Sequence, residues 1–197
     1  MSEDAVITRT IDKSDDVSTV VDILSSAFAD DPFLNWVTSN PSYPRFAFDL
    51  TVPNLILANE TYLTSDKQGA SVWTTPDFSE AAPNSYKSIL EGLMHYGFKS
   101  CYRAIHCFNV LGKHHPKYPH YYLFAIGVNA DMKHQGIGSQ LMAPTLRDCD
   151  ANNMPAYLEN SNEANLDFYG KFGFKVSKEL SPAKGCPPLW LMERPPQ

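Results

Sequence analysis

The stretch His120–Ala143, HYYLFAIGVNADMKHQGIGSQLMA, decides how this chain is read. Its first third, Tyr121–Val128, is an aromatic and aliphatic run of strand length, built from residue types that suit a pleated, buried surface. Asn129–Gln135 is polar and reads as a loop. Gly136-Ile137-Gly138 then opens a segment in which Ile137, Leu141 and Thr145 recur at helical spacing. A strand that passes through a glycine turn into a helix makes an anion site. The first helical amides have no partner within the helix and point outward at the positive end of its dipole. Glycine removes the side chains that would hold a pyrophosphate away from them.

Three phosphate-binding patterns compete for this loop. GxxxxGK[ST] does not occur in the chain. A dinucleotide GxGxxG would follow its strand directly; here seven residues, 129–135, intervene, and Leu141 stands where the third glycine belongs. The acyl-CoA pattern [RQ]-x-x-G-x-[GA] is met by Lys133-His134-Gln135-Gly136-Ile137-Gly138 at both glycines, with lysine at its first position.

Downstream, Pro155–Glu159 is a further short strand, followed by Asn160-Ser-Asn-Glu-Ala-Asn165-Leu-Asp-Phe168-Tyr169-Gly-Lys-Phe-Gly173-Phe174. Over Tyr121–Val176 the chain resembles the GNAT-type N-acetyltransferase superfamily. There a strand leads to the pyrophosphate loop and a helix, and a second strand leads to an N-x-x-A-x-x-[FL]-Y-x-x-x-G-F signature. Asn162, Asn165 (in place of the alanine), Phe168-Tyr169 and Gly173-Phe174 match it. The blocks Pro119–Val128 and Pro155–Phe174 are similar to small-molecule members, including puromycin N-acetyltransferase-like proteins. The fold implied is α/β (α+β): one mixed, mostly antiparallel, twisted sheet of six to seven strands, flanked by helices, with splayed central strands.

The resemblance also implies a site. Ile126 and Val128 supply main-chain contacts to the acyl-pantetheine arm, with an amide near Ile126 polarising the thioester carbonyl. Lys133, His134, Gln135, Gly136, Ile137, Gly138 and Ser139 hold the pyrophosphate of acetyl-CoA. Asn162 and Asn165 reach the pantetheine amides, although helix capping explains Asn162 equally well. Tyr169 stands beside the departing sulfur as the acid.

The base stays open. Many relatives carry a glutamate on the strand before the loop, and Tyr121–Val128 has no carboxylate. Asp31 is one candidate, because Asp30-Asp31-Pro32-Phe33-Leu34 is similar to the acidic-proline-hydrophobic corner of arylalkylamine N-acetyltransferases; Asp31 as a helix terminator is the alternative. Glu159, at the end of the second strand, and His120, just before the central one, are the others.

Length and composition bound the rest. With 197 residues, 43% of them hydrophobic, residues 1–197 read as one domain. A net charge of −6 argues against nucleic acid, so a bound anion is held by local amides and Lys133 rather than by the protein's overall field. No apolar run approaches a membrane span, no leader pattern opens the chain, and the cysteines Cys101, Cys107, Cys149 and Cys186 form no CxxC pair. Cytoplasmic residence, with reduced thiols and no metal, is the expectation. His106, His114, His115 and His120 fit no zinc spacing. The partners expected are acetyl-CoA and a small amine, with no membrane, in a monomer or homodimer. The alternatives are a peptide N-acetyltransferase and an acyl-CoA sensor without turnover.

Other elements follow from periodicity. Ala5–Ile11 alternates as a first strand, and Val17, Val20, Val21, Leu24 and Phe28 mark a helix that ends before Pro32. Phe33–Val37 begins a second helix, and Tyr43–Asn59 a third, broken around Pro53. Glu60–Thr64 and Ala70–Thr75 form a hairpin, and Tyr86–Leu111 one or two helices punctuated by Gly92, Gly97 and Gly112. Ser181–Pro188 turns the chain into a last strand, Leu189–Met192. Pro144 inside the Gly136 helix predicts a kink at Gln140–Pro144.

Overall fold

Alternation and helical spacing become a single layered sheet in the computed structural model, which describes residues 7–9, 14–58, 60–77 and 86–197. The strands are β1 (Ile7–Arg9), β2 (Glu60–Thr64), β3 (Gly69–Thr74), β4 (Tyr121–Val128), β5 (Ala156–Asn160), β6 (Lys175–Leu180) and β7 (Leu189–Arg194). Among the described residues they make one seven-stranded sheet in the order β1-β2-β3-β4-β5-β7-β6. Every neighbouring pair is antiparallel except β4–β5, which is parallel. The remainder of the first strand expected at Ala5–Ile11 lies outside the described residues.

Helices cover both faces. α1 (Ser14–Ala27), α2 (Pro32–Val37), α3 (Tyr43–Ala58) and α4 (Tyr86–His114) lie on one side. α5 (Ile137–Ala151) and the short α6 (Leu166–Gly170) lie on the other. Val20, Leu24, Val52 and Ile56 pack α1 and α3 on Val72 and Ala125. Ile137, Leu141, Met142 and Leu146 pack α5 on Trp73, Leu123 and Leu158. Gly127 lets α1 come close to the centre of the sheet: a Cβ there would stand 2.7 Å from that of Ala27.

The break expected at Pro53 needs correction. α3 runs unbroken through Pro53, and α5 continues as one helix from Ile137 to Ala151 with Pro144 inside it. Proline removes one hydrogen bond in each, but Phe48, Val52, Leu55 and Ile56 in α3, and Leu141, Met142, Thr145, Leu146 and Cys149 in α5, bury a continuous face. In α5 the Ser71 hydroxyl donates to the Leu141 carbonyl at 3.3 Å, tying the proline-bearing turn to β3. Glycine does break α4, at Gly97 (φ 75°, ψ 168°), whereas Gly92 and Gly112 stay helical. The polar edge strand β6, exposed along most of its length, has no apolar alternation and went unassigned from sequence.

The buried end of β7 is fixed by charge. Arg194 is almost fully buried and binds Asp150 through two bonds of 2.8 and 2.9 Å, while its Nε donates to the Phe172 carbonyl. These bonds from Arg194 hold the Asp150 carboxyl below its ordinary value of 3.8. Asp150→Ala strands a buried guanidinium, and we expect about 2 kcal/mol of lost stability by urea unfolding. A depressed carboxyl stabilises above its unfolded value and ceases to as pH falls through the folded one. The wild-type advantage should therefore begin to shrink as pH falls below ~4 and vanish once pH passes the folded value.

Candidate active site

The central strands separate because their pairing stops early. β4 and β5 are in register only from Tyr121↔Ala156 to Leu123↔Leu158. On its other side β4 pairs with β3 from Tyr122 to Val128, with a register shift between Val72 and Trp73 that leaves Phe124 as the extra residue. The bulge re-aims the strand: Ala125 faces α1 and α3, while Ile126 and Val128 join Leu123 on the α5 side. It also re-aims the backbone. The Tyr121 amide donates to Pro155 beside β5, whereas the Asn129 amide donates to Gln68 beside β3. Alternation from Asn129 turns the amides of Gly127 and Ala125 toward β3 and those of Ile126 and Val128 toward the gap.

At the open end of that gap lies the glycine turn. His134 (φ 65°) and Gly136 (φ 84°) are both left-handed, flanking Gln135, and Gly136 caps α5 without any side-chain bond. The main-chain amides of Gln135, Gly136, Ile137, Gly138 and Ser139 donate to no acceptor among the described residues. A Cβ on Gly136 would meet nothing within 4 Å, so the space over these amides is clear; one on Gly138 would press on the Phe168 ring at 3.2 Å. Lys133, His134, Gln135 and Ser139 are exposed around the turn. This arrangement fits a diphosphate: a row of unpaired amides, a helix N-terminus and an adjacent ammonium.

Tyr169 is buried on the α5 side of the sheet, its ring packed edge-on to Phe168 and Phe174. Burial first, and then the charge of Asp31, push its phenol above the ordinary value. Its hydroxyl has no protein partner among the described residues. Asp31 thus comes into the range of Tyr169 across a separation of more than a hundred residues. One Asp31 oxygen accepts from the Leu34 amide at 2.8 Å, capping α2, and the other accepts from the Ser161 hydroxyl just beyond β5. Burial raises the Asp31 carboxyl above 3.8 against the opposing hydrogen bonds from Ser161, Leu34 and Phe33. Asp31 thus opens α2 as its N-cap rather than ending α1, and the same side chain lies within electrostatic reach of Tyr169.

The other two base candidates lie together on the opposite face. Glu159 accepts from the Tyr157 hydroxyl at 3.1 Å and stands 3.7 Å from His115 Nδ1. His115 Nε2 meets His120 Nε2 at 3.0 Å, and His120 Nδ1 contacts the Tyr118 carbonyl at 2.7 Å. Burial first, then the neighbouring His115, lower the His120 pKa below 6.5 despite the Tyr118 hydrogen bond, which favours the neutral ring at physiological pH. A cavity of about 330 Å³ opens beside His115, His120 and Tyr122, with Thr74 and Thr75 on its far wall. It adjoins the start of β4, the end away from the glycine turn.

Asn162 accepts from the Ala164 amide at 3.1 Å and caps a 3-10 turn, so its oxygen is committed to capping. Asn165 is exposed and makes no cap bond. Sequence reasoning missed two members of these clusters, Ser161 and His115. Ser161 is an ordinary loop serine in the string, and His115 is indistinguishable there from its neighbour His114.

Residues 96–174 match the acetyltransferase (GNAT) family. The fold is shared with solved structures of low sequence identity. One, described as histone acetyltransferase HPA2 and related acetyltransferase, from Corynebacterium glutamicum, is 22% identical with a TM-score of 0.68 over 98% of this chain and 97% of that one. The C-terminal condensation domain of Ebony, in complex with beta-alanyl-dopamine, is 10% identical with a TM-score of 0.66, covering 97% and 99%. The ribosomal-protein-S18-alanine N-acetyltransferase of Escherichia coli is 14% identical with a TM-score of 0.53, covering 96% and 94%. Among curated proteins, a probable serine/threonine-protein kinase of Dictyostelium discoideum is 23% identical over 98% of this chain. The chain spans 23% of that protein's length.

Proposed function

We propose that this chain, whose residues 96–174 match the acetyltransferase (GNAT) family, is an acetyl-CoA-dependent N-acetyltransferase whose acceptor is a small amine. The observation that carries this reading is the gap between β4 and β5. Two main-chain amides face it, unpaired amides at a helix N-terminus end it, and Asp31, bonded to Ser161 just beyond β5, lies within electrostatic reach of Tyr169. Acetyl-CoA supplies the acetyl group as a thioester, whose carbon–sulfur bond breaks as a carbon–nitrogen bond to the amine forms.

The amides of residues 135–139 bind the diphosphate, assisted by Lys133. The Ile126 and Val128 amides orient the arm, and the first of them faces the oxygen on which charge develops. Asp31 takes the proton that leaves the amine nitrogen; its raised pKa makes it a stronger base than a solvated carboxylate. Its negative charge also favours an ammonium entering the cleft. Tyr169 donates a hydrogen bond to the sulfur. Complete transfer from a phenol at ~10 to a thiol at ~8.5 is already uphill by about 2 kcal/mol, and burial raises the phenol further. Tyr169 therefore keeps its proton throughout, and the thiolate takes one from solvent or from Asp31.

The acceptor side favours a small molecule over a peptide. β3 and β4 are adjacent antiparallel strands, yet residues 75–120, including α4, lie between them. α4 packs on α2 and α3: Arg103 stacks 4.4 Å from the Trp36 ring centre, Phe108 meets Phe33 edge-on, and Tyr96 packs on Tyr43 and Phe46. These aromatic walls suit an aryl or bulky apolar amine.

Thiol release from acetyl-CoA, measured with a panel of amines and peptides, tests the reading. Amine-dependent release is expected; release with peptides alone, or coenzyme binding without release, refutes it. Tyr169→Phe should lower kcat about tenfold, with the KM for acetyl-CoA little changed. A loss within twofold removes Tyr169 from the chemistry.

A further inference from the structure

The imidazoles of His115 and His120 wall a cavity of about 330 Å³ that the proposed chemistry leaves unused. It opens at the start of β4, on the α4 side of the sheet, where Thr74 and Tyr122 are cross-strand partners. Three prolines in its wall, Pro76, Pro116 and Pro119, have fixed φ angles, so the hollow is formed before anything enters it.

The hydrogen-bonding groups of this wall divide into those already satisfied and those left over. His120 Nδ1 stands 2.7 Å from the Tyr118 carbonyl, and a carbonyl only accepts, so Nδ1 carries the proton and Nε2 the lone pair. His115 Nε2, 3.0 Å away, is then the donor to His120. The Tyr118 hydroxyl donates to Glu193 at 2.8 Å. One ammonium and two hydroxyls remain. Among the described residues Lys117 has no carboxylate partner, and the Thr74 and Thr75 hydroxyls have no hydrogen-bond partner. Thr74 is only 6% exposed, so a partner for its hydroxyl has to come through the cavity.

That set selects the occupant. Asp77 is exposed just past Pro76, Glu193 is engaged by Tyr118 and Glu159 by Tyr157, and none of the three lines the cavity. A cation would meet Lys117 and find no carboxylate among the described wall residues. An apolar guest would cover the ammonium and both hydroxyls without pairing them. An oxyanion satisfies all three, because its oxygens accept from the ammonium and from each hydroxyl. We infer that this cavity is a site for a small oxyanion, a carboxylate or a phosphate, separate from the glycine turn at the other end of β4. Its occupant sits one imidazole pair away from Glu159, since His115 Nδ1 stands 3.7 Å from that carboxylate. Binding is thereby linked to the β5 wall of the gap.

Proton NMR of the histidine side chains tests this without any turnover. His115 and His120 report the cavity and His134 reports the glycine turn, so binding at the two ends is read separately. Inorganic phosphate and acetate are titrated in turn, with ionic strength held constant by potassium chloride. Saturable shifts of the His115 and His120 signals, with a millimolar dissociation constant, are expected for at least one of the two anions, and the tighter one identifies the chemistry bound. Lys117→Gln, at an exposed side chain, should weaken that binding at least fivefold, with Tm and the His134 response unchanged. Thr75→Val should weaken it in the same direction, and Gly136→Val should leave the His115 and His120 curves as they are. The proposal is overturned if neither anion moves these signals, if chloride moves them equally, or if Lys117→Gln binds as the wild type does.

Discussion

Asp31→Asn is expected to lower kcat by a factor of ~10²–10³, the usual range for losing a positioned base. The substitution keeps the oxygen that caps α2 through the Leu34 amide, removes the ability to accept a proton, and reverses the bond to Ser161, whose hydroxyl must then accept from the amide nitrogen. Stability should not fall with activity. A carboxyl whose folded pKa is raised contributes stability below its unfolded value and loses it as pH rises through the folded one. At neutral pH the ionised Asp31 is therefore a burden that asparagine removes. In the wild type the rate should fall on the acid side as Asp31 protonates, at a pH above 3.8, and this limb should vanish in Asp31→Asn. Rate profiles of Glu159→Gln and His120→Ala decide the alternative. An acid limb that survives in Asp31→Asn and disappears in either of these would transfer the base to the Glu159–His115–His120 chain.

Gly136→Val is expected to raise the KM for acetyl-CoA by roughly 30-fold or more while kcat changes little, the signature of lost binding common to ground and transition states. Two effects act together. Gly136 has φ 84°, a region that costs a β-branched residue roughly 1–2 kcal/mol. Its added carbons would also project into the clear space over the amides of residues 135–139. Gly136→Ala should fall between the two. Titration calorimetry with coenzyme A, which reads binding without turnover, should show the same order; equal affinity for all three proteins would detach the turn from the diphosphate.

The parts of this molecule that could be read from the string are those in which a local pattern and its tertiary role coincide. Tyr121–Val128 is buried on alternate residues, and Gly136 needs a positive φ, so each advertises its conformation through its residue types. Pro53 misled because the cost of a proline is local, whereas the burial that outweighs it comes from distant residues such as Val72. β6 was silent because an exposed edge strand has no buried face to impose alternation. The separation of β4 from β5 was reached only through resemblance: it turns on one extra backbone residue, Phe124, whose side chain carries no mark of it. Asp31 was legible as a helix terminator and as a base, and nothing in the string could weigh the two or show that it caps α2, since Ser161 and Tyr169 reach it only in the fold.

The short parallel contact between Tyr121–Leu123 and Ala156–Leu158 has a mechanical consequence. The seven strands behave as two leaves, four on one side and three on the other, sewn along a spine of three residue pairs. Beyond that spine, rigidity across the seam is borrowed from the helices that straddle it. Small rotations of one leaf against the other would widen or narrow the opening while scarcely disturbing either interior, so the molecule can breathe where chemistry is proposed and stay stiff everywhere else.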